Sequence, residues 1–218
     1  MKKSMLILIV FCLILITQNA NANTSFVLLS DDFDLENGGL DLGNYNNFLN
    51  WDVVEGGVDL CAPYTQWYHD MPSWVGSYID LDGTGQGGGK MVSKEEFKLL
   101  PGLYELQFDI KGSICPYSDR TDELNDILMV SLGGLFSETF TIPQEYSFTT
   151  VTRYIDIQSR TDGQLIFDQT TGHDDMGPLL DNVKLTRNVG HSPVPEPATM
   201  LLFGPAFLGL IGYKRRRG

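Results

Sequence analysis

Histidine and cysteine are scarce in this 218-residue chain, with three of each. Neither a Gly-x-Ser-x-Gly nucleophile elbow nor a His-Glu-x-x-His pair occurs, which removes two common hydrolase arrangements. No segment sustains a 3.6-residue apolar period, so a helical bundle is excluded. Positive charge is also short: 15 Lys and Arg stand against 28 Asp and Glu. Two of the basic residues lie before residue 23. Four more, and one acidic residue, lie beyond residue 193. The stretch between therefore carries 9 basic and 27 acidic residues, a net charge of −18. Such a charge makes nucleic acid and anionic membrane surfaces poor partners. It suits cations, or simply keeps an exported protein in solution.

What the chain does have is concentrated at its two ends. Lys2-Lys3 precede an apolar run from Met5 to Ile16, and Ala20-Asn21-Ala22 supplies a small-x-small cleavage site. Residues 1–22 are read as a signal peptide. Cys12 follows the bulky Phe11, so it belongs to the apolar run and not to a lipobox. At the other end, Pro195-Glu196-Pro197 is followed by the uncharged stretch Ala198 to Tyr213 and by Lys214-Arg215-Arg216-Arg217-Gly218. Sixteen residues make about 24 Å of helix, slightly short for a hydrocarbon core of roughly 30 Å. The arginines stay on the cytoplasmic side by the positive-inside rule. This tail resembles the PEP-CTERM sorting signal of Gram-negative bacteria, with Pro195, Glu196 and Pro197 as the motif and Arg215, Arg216 and Arg217 as its basic end. The resemblance implies an exosortase-type processing enzyme as partner, transient contact with the inner membrane through the C-terminal helix, and a destination in the cell envelope or extracellular matrix.

Between the ends, the chain reads as strands. Tyr104, Leu106, Phe108 and Ile110 alternate with polar residues from Leu103 to Lys111, the period of a half-buried strand, opened by the turn Pro101-Gly102. Further strands are expected over Ser25–Leu29, Asn50–Val54, Val58–Cys61, Ser77–Leu81, Met91–Phe97, Asp126–Leu132, Leu135–Thr141, Val151–Ile157, Gln164–Asp168 and Leu179–Thr186. Short strands between Gly, Asp, Asn and Pro turns predict an all-β, two-sheet jelly-roll sandwich over residues 23–187. A linker over 188–194 joins it to the tail at 195–218. Cys61 and Cys115 remain after processing, and in an oxidising compartment they read as a disulfide. Closing a loop of about 55 residues would contribute up to about 4 kcal/mol. Two separate thiols are the alternative.

Several phrases recur in a known order: Trp51 to Leu60, Ser77 to Gly85, Leu100 to Tyr104 and Gly177 to Val183. In this order the chain resembles the galactose-binding-like jelly-roll domain of the 642 family of unknown function, and is similar to bacterial choice-of-anchor C proteins. An Asn-Gly-x-Phe-Glu phrase of that family is replaced here by Ser30-Asp31-Asp32-Phe33-Asp34. The resemblance implies association with cell-wall or extracellular polysaccharide, and no reaction.

Two groups of residues are candidate sites. Strict alternation puts Asp181 on the face of Leu179, Val183 and Leu185, and an inward carboxylate needs a cation or several donors. Jelly rolls of the resembled type often hold a structural Ca²⁺ between first and last strands, and Asp31 and Asp34 offer the oxygens it prefers. Asp31, Asp34 and Asp181 are thus expected ligands of one Ca²⁺. Equally, Asp181 accepts backbone N–H bonds and residues 31–36 form a solvated turn. The second group is Trp67, Tyr68 and Trp74, in an aromatic loop. Exposed, these rings would stack on the apolar faces of sugars; buried, they would cap the core.

Gly83-Thr84-Gly85-Gln86-Gly87-Gly88 fits a dinucleotide fingerprint in letters only, because a strand and not a helix follows. With 27 acidic residues, a pair of carboxylates on facing strands carries no information about a glycosidase. The sequence therefore predicts a non-catalytic, polysaccharide-binding surface protein. Its alternatives are a structural or adhesive protein that contacts proteins and, third, a polysaccharide-cleaving enzyme.

Overall fold

Alternating apolar residues on opposing strands can be shielded from water only by laying one sheet against another, and this chain does so. A computed structural model describes residues 25–63, 76–112, 125–144, 146–171 and 175–189. Fifteen strands occur among them: β1 (Ser25–Asp31), β2 (Trp51–Glu55), β3 (Asp59–Cys61), β4 (Tyr78–Asp80), β5 (Asp82–Gly83), β6 (Gly87–Gly88), β7 (Lys90–Ser93), β8 (Phe97–Leu99), β9 (Gly102–Lys111), β10 (Asn125–Leu132), β11 (Phe136–Pro143), β12 (Thr149–Ile157), β13 (Thr161–Gly163), β14 (Leu165–Gln169) and β15 (Leu179–Asn188). One sheet runs β12-β9-β15-β4-β3, with β1 also paired to β15; the other runs β11-β10-β14-β7-β2. All these pairs are antiparallel. Residues Thr24–Asn188 form one compact unit.

The core lies between the sheets. β9 contributes Tyr104, Leu106, Phe108 and Ile110, as its period predicts, and β10 and β14 contribute Leu128, Val130, Leu132, Leu165 and Phe167. The Phe108 and Phe167 rings meet edge to face, 5.2 Å apart, across the gap between sheets. Trp51 packs on the other side of Phe167 at 5.6 Å. At the β11/β12 side, Arg153 clips one sheet to the other. Its Nε and Nη2 each donate to the Glu138 carboxylate at 2.6 Å, and its guanidinium lies 5.3 Å from the Phe140 ring centre.

Some local expectations are corrected. The strand expected over Met91–Phe97 is broken by the exposed turn Lys94–Glu96; β7 ends at Ser93, and β8 pairs with β13 in a separate two-stranded sheet. The glycine run closes a small hairpin, in which Asp82-Gly83 pairs with Gly87-Gly88. Gly56, at φ +58°, lets β2 turn against this hairpin, since a Cβ there would run into the Gly88 carbonyl.

Candidate functional site

The outward face of the six-stranded sheet carries the site. Because β1, β15, β9 and β12 lie in register, Ser30, Lys184, Gln107 and Thr152 form one row across four strands. A second row runs Asp181, Asp109, Thr150. A third places Thr186, Glu105 and Tyr154 side by side, with Tyr154 65 % exposed. A groove of about 340 Å³ opens along the first two rows, lined by Ser30, Asp31, Asp32, Gln107, Asp109, Thr150, Asn182 and Lys184.

A β-bulge shapes its floor. Between Asp181 and Lys184 the β15 strand gains one residue against β9, and Asn182 adopts φ +52°. The extra residue shifts the phase of the strand. Leu180, Val183 and Leu185 point into the core, whereas Leu179 packs with Cys61 and Tyr78 in a separate cluster. Asp181, opposite Asp109, stands on the outward face. The sequence-based grouping of Asp181 with Val183 and Leu185 is thereby corrected. Asp181 is nonetheless only 3 % exposed. Its carboxylate accepts the Asn182 backbone N–H at 2.6 Å and the Asn182 amide at 3.1 Å. Burial, opposed by that backbone bond and aided by the charges of Asp109, Asp34 and Asp32, pushes its pKa up to about 7.

The other expected calcium ligands have partners of their own. Asp31 accepts from the Phe33 N–H at 3.0 Å, the Asn50 amide at 3.0 Å and the Trp51 indole at 2.9 Å. Asp34 accepts the Ser77 N–H at 2.6 Å, a contact that Gly76 permits by having no Cβ. Among the described residues, Asp31, Asp34 and Asp181 do not form a cluster that could hold a metal ion.

Two further buried acids are braces. Asp59 accepts the Asn44 N–H at 2.7 Å, the Thr84 N–H at 3.1 Å and the Thr84 hydroxyl at 2.6 Å. Asp80 accepts the N–H groups of Asp82 at 2.9 Å and Gly177 at 2.7 Å. The Asp80-x-Asp82-x-Thr84 phrase thus fastens loops together.

Cys61 is buried as a free thiol, and burial beside Asp80 and Asp59 pushes its pKa well above the usual range. Cys115 lies outside the described residues, so the disulfide finds no support here. Trp67, Tyr68 and Trp74 also lie outside them, as do Pro195, Glu196, Pro197, Arg215, Arg216 and Arg217. No helix of the described residues is long and apolar enough to cross a membrane.

The chain carries the PEP-CTERM protein-sorting motif over residues 193–217. Export and sorting toward the cell surface follow from the PEP-CTERM motif. No curated protein sequence matches the chain. Among solved structures, the sandwich is similar to the CBM22-1 xylan-binding domain of Xyn10C from Paenibacillus barcinonensis, at 11 % identity and TM-score 0.44, covering 77 % of this chain and 97 % of that one. It is similar to the C-terminal CBM6 of LamC, a laminarinase from Zobellia galactanivorans, at 14 % identity and TM-score 0.38, covering 68 % and 98 %. A third similar structure is an arabinose-bound arabinofuranosidase, MgGH51, at 6 % identity and TM-score 0.43; the match covers 63 % of this chain and 23 % of the enzyme's length. The PEP-CTERM motif and the outward groove thus lie in separate parts of one chain.

Proposed function

We propose that this PEP-CTERM protein is processed by an exosortase-type enzyme and that its β-sandwich binds extracellular polysaccharide without catalysis. The groove on the outward sheet face carries the reading. Sugar hydroxyls donate and accept hydrogen bonds, and the lining supplies both functions: amides from Gln107 and Asn182, hydroxyls from Ser30 and Thr150, carboxylates from Asp32 and Asp109, and the Lys184 ammonium. Trp67, Tyr68 and Trp74, outside the described residues, belong to the same reading as rings that would stack on sugar faces. Asp181, whose pKa burial pushes up to about 7, is almost fully buried and does not line the groove; among the described residues this favours binding over acid–base cleavage.

One structural Ca²⁺ is part of the proposal, on Asp34 and Asp181 with Asp31 as a weaker third ligand, since Asp31 already accepts three hydrogen bonds and the described residues hold no ready-made cluster for the ion. Melting at pH about 8 tests it, where Asp181 is ionised. A Tm raised by Ca²⁺, with no such rise in Asp181→Asn, keeps the ion; an unchanged Tm removes it.

The binding itself is tested with a glycan array and an exopolysaccharide pull-down of the protein purified from its envelope. Retention that Gln107→Ala together with Asn182→Ala abolishes supports the groove. Retention lost only with Trp67→Ala or Trp74→Ala moves the site to the aromatic loop. No retention by any glycan, from folded protein, favours the structural or adhesive alternative.

A further inference from the structure

Resting on that reading, we propose that the bound polymer is an uncharged glycan, laid across the strands and over the β12 edge into a second cleft. This cleft, of about 260 Å³, opens on the side of the sandwich where the edge strands β11 and β12 face each other. Phe140, Ile142, Tyr146, Thr149, Thr150 and Arg153 line it, among others. Thr150 lines both this cleft and the groove on the sheet face. Thr152, the last member of the four-strand row, lines the second cleft as well. With strands about 4.8 Å apart, the row alone spans roughly 14 Å. A ligand following it from Ser30 arrives at the second cleft.

Charge selects the class of polymer. Asp31, Asp32 and Asp109 line the groove against one cation, Lys184. The cleft contributes Arg153, which Glu138 already engages with two bonds while Phe140 stacks beneath it. Among the described residues that line the path, no free guanidinium is offered to a carboxylated or sulfated sugar, and the net charge of the mature stretch repels polyanions during approach. What the path offers is hydroxyls, amides and the ring of Tyr146, a lining suited to neutral hydroxyls and apolar sugar faces.

The experiment is affinity electrophoresis and calorimetry on the full chain in detergent, with neutral glucans, xylans and galactans against alginate and polygalacturonate. Oligosaccharides of increasing length complete the panel. Neutral polymers are expected to bind and polyuronates not to. Affinity should climb with oligosaccharide length until both clefts are filled. Thr150→Glu, at an exposed position lining both clefts, should weaken polymer binding about tenfold or more, whereas Thr149→Glu, exposed and lining the second cleft alone, should weaken the polymer and leave the shortest binding oligosaccharide within about twofold. Preference for polyuronates, or equal affinity for short and long chains, or an indifferent Thr150→Glu, overturns the inference and leaves the parent reading standing. Absence of binding to every glycan overturns both.

Discussion

Asp181 lies directly opposite Asp109 on neighbouring strands, and the side-chain amide of Asn182 donates to both carboxylates, at 3.1 and 2.9 Å. Two like charges in cross-strand register repel, and a bulge residue bridges them. The Asp181–Asp109 pair is therefore electrostatically loaded.

That load sets a pH dependence. Folded Asp181, raised to about 7, keeps its proton where the unfolded chain has released it. Between pH about 4 and about 7 the native state binds more protons, so this group's contribution to stability is full below that window and is lost as pH rises through it. Asp181→Asn is expected to match the wild type near pH 4 and to exceed it at pH 8 by on the order of 2–4 kcal/mol. Urea unfolding in EDTA at both pH values checks this; equal stability of the two proteins at pH 8 would sink it.

Asp31 is expected to act as a brace. Replacing it with Ala leaves the Trp51 indole and the Phe33 N–H without their acceptor, at a cost of about 2–3 kcal/mol. The response of the protein to calcium should persist. A lost calcium response in Asp31→Ala would raise Asp31 from third ligand to a principal one.

The Arg153–Glu138 clip should be modest. Both side chains are about one-third exposed, so a double-mutant cycle with Arg153→Met and Glu138→Gln is expected to give a coupling of about 1 kcal/mol, weakening with salt. A coupling that ignores salt would place the effect in packing on Phe140 instead.

Phe167 joins Trp51 to Phe108 at the centre of the sandwich. Phe167→Ala is expected to lower stability by about 3–5 kcal/mol, whereas Tyr154→Ala, on the exposed face, should leave unfolding unchanged.

Much of this fold can be read from the sequence because its strands alternate cleanly; Tyr104 to Ile110 on β9 show the period without interruption. The sheet face is harder. Ser30, Gln107, Thr150 and Lys184 are ordinary outward polar residues, brought together only by the pairing of four strands distant in sequence. The bulge at Asn182 has no periodic signature, so a strict alternation sends Asp181 to the wrong set of neighbours. Lys94–Glu96 break a run whose apolar ends, Met91 and Phe97, both enter the core, and burial of the ends hides the turn between them. The aromatic loop was visible as composition, but Trp67, Tyr68 and Trp74 fall outside the described residues.

β15 is flanked along one side by β9 and along the other by β4 and then β1. The segment leading to the sorting motif departs from its last residue, Asn188. A load directed along β15 would meet the ladder bonds of both flanks together, in shear, instead of peeling them singly. Lys184 and Asn182 sit on the same strand. A load along the axis of this one strand is divided between two hydrogen-bonded ladders.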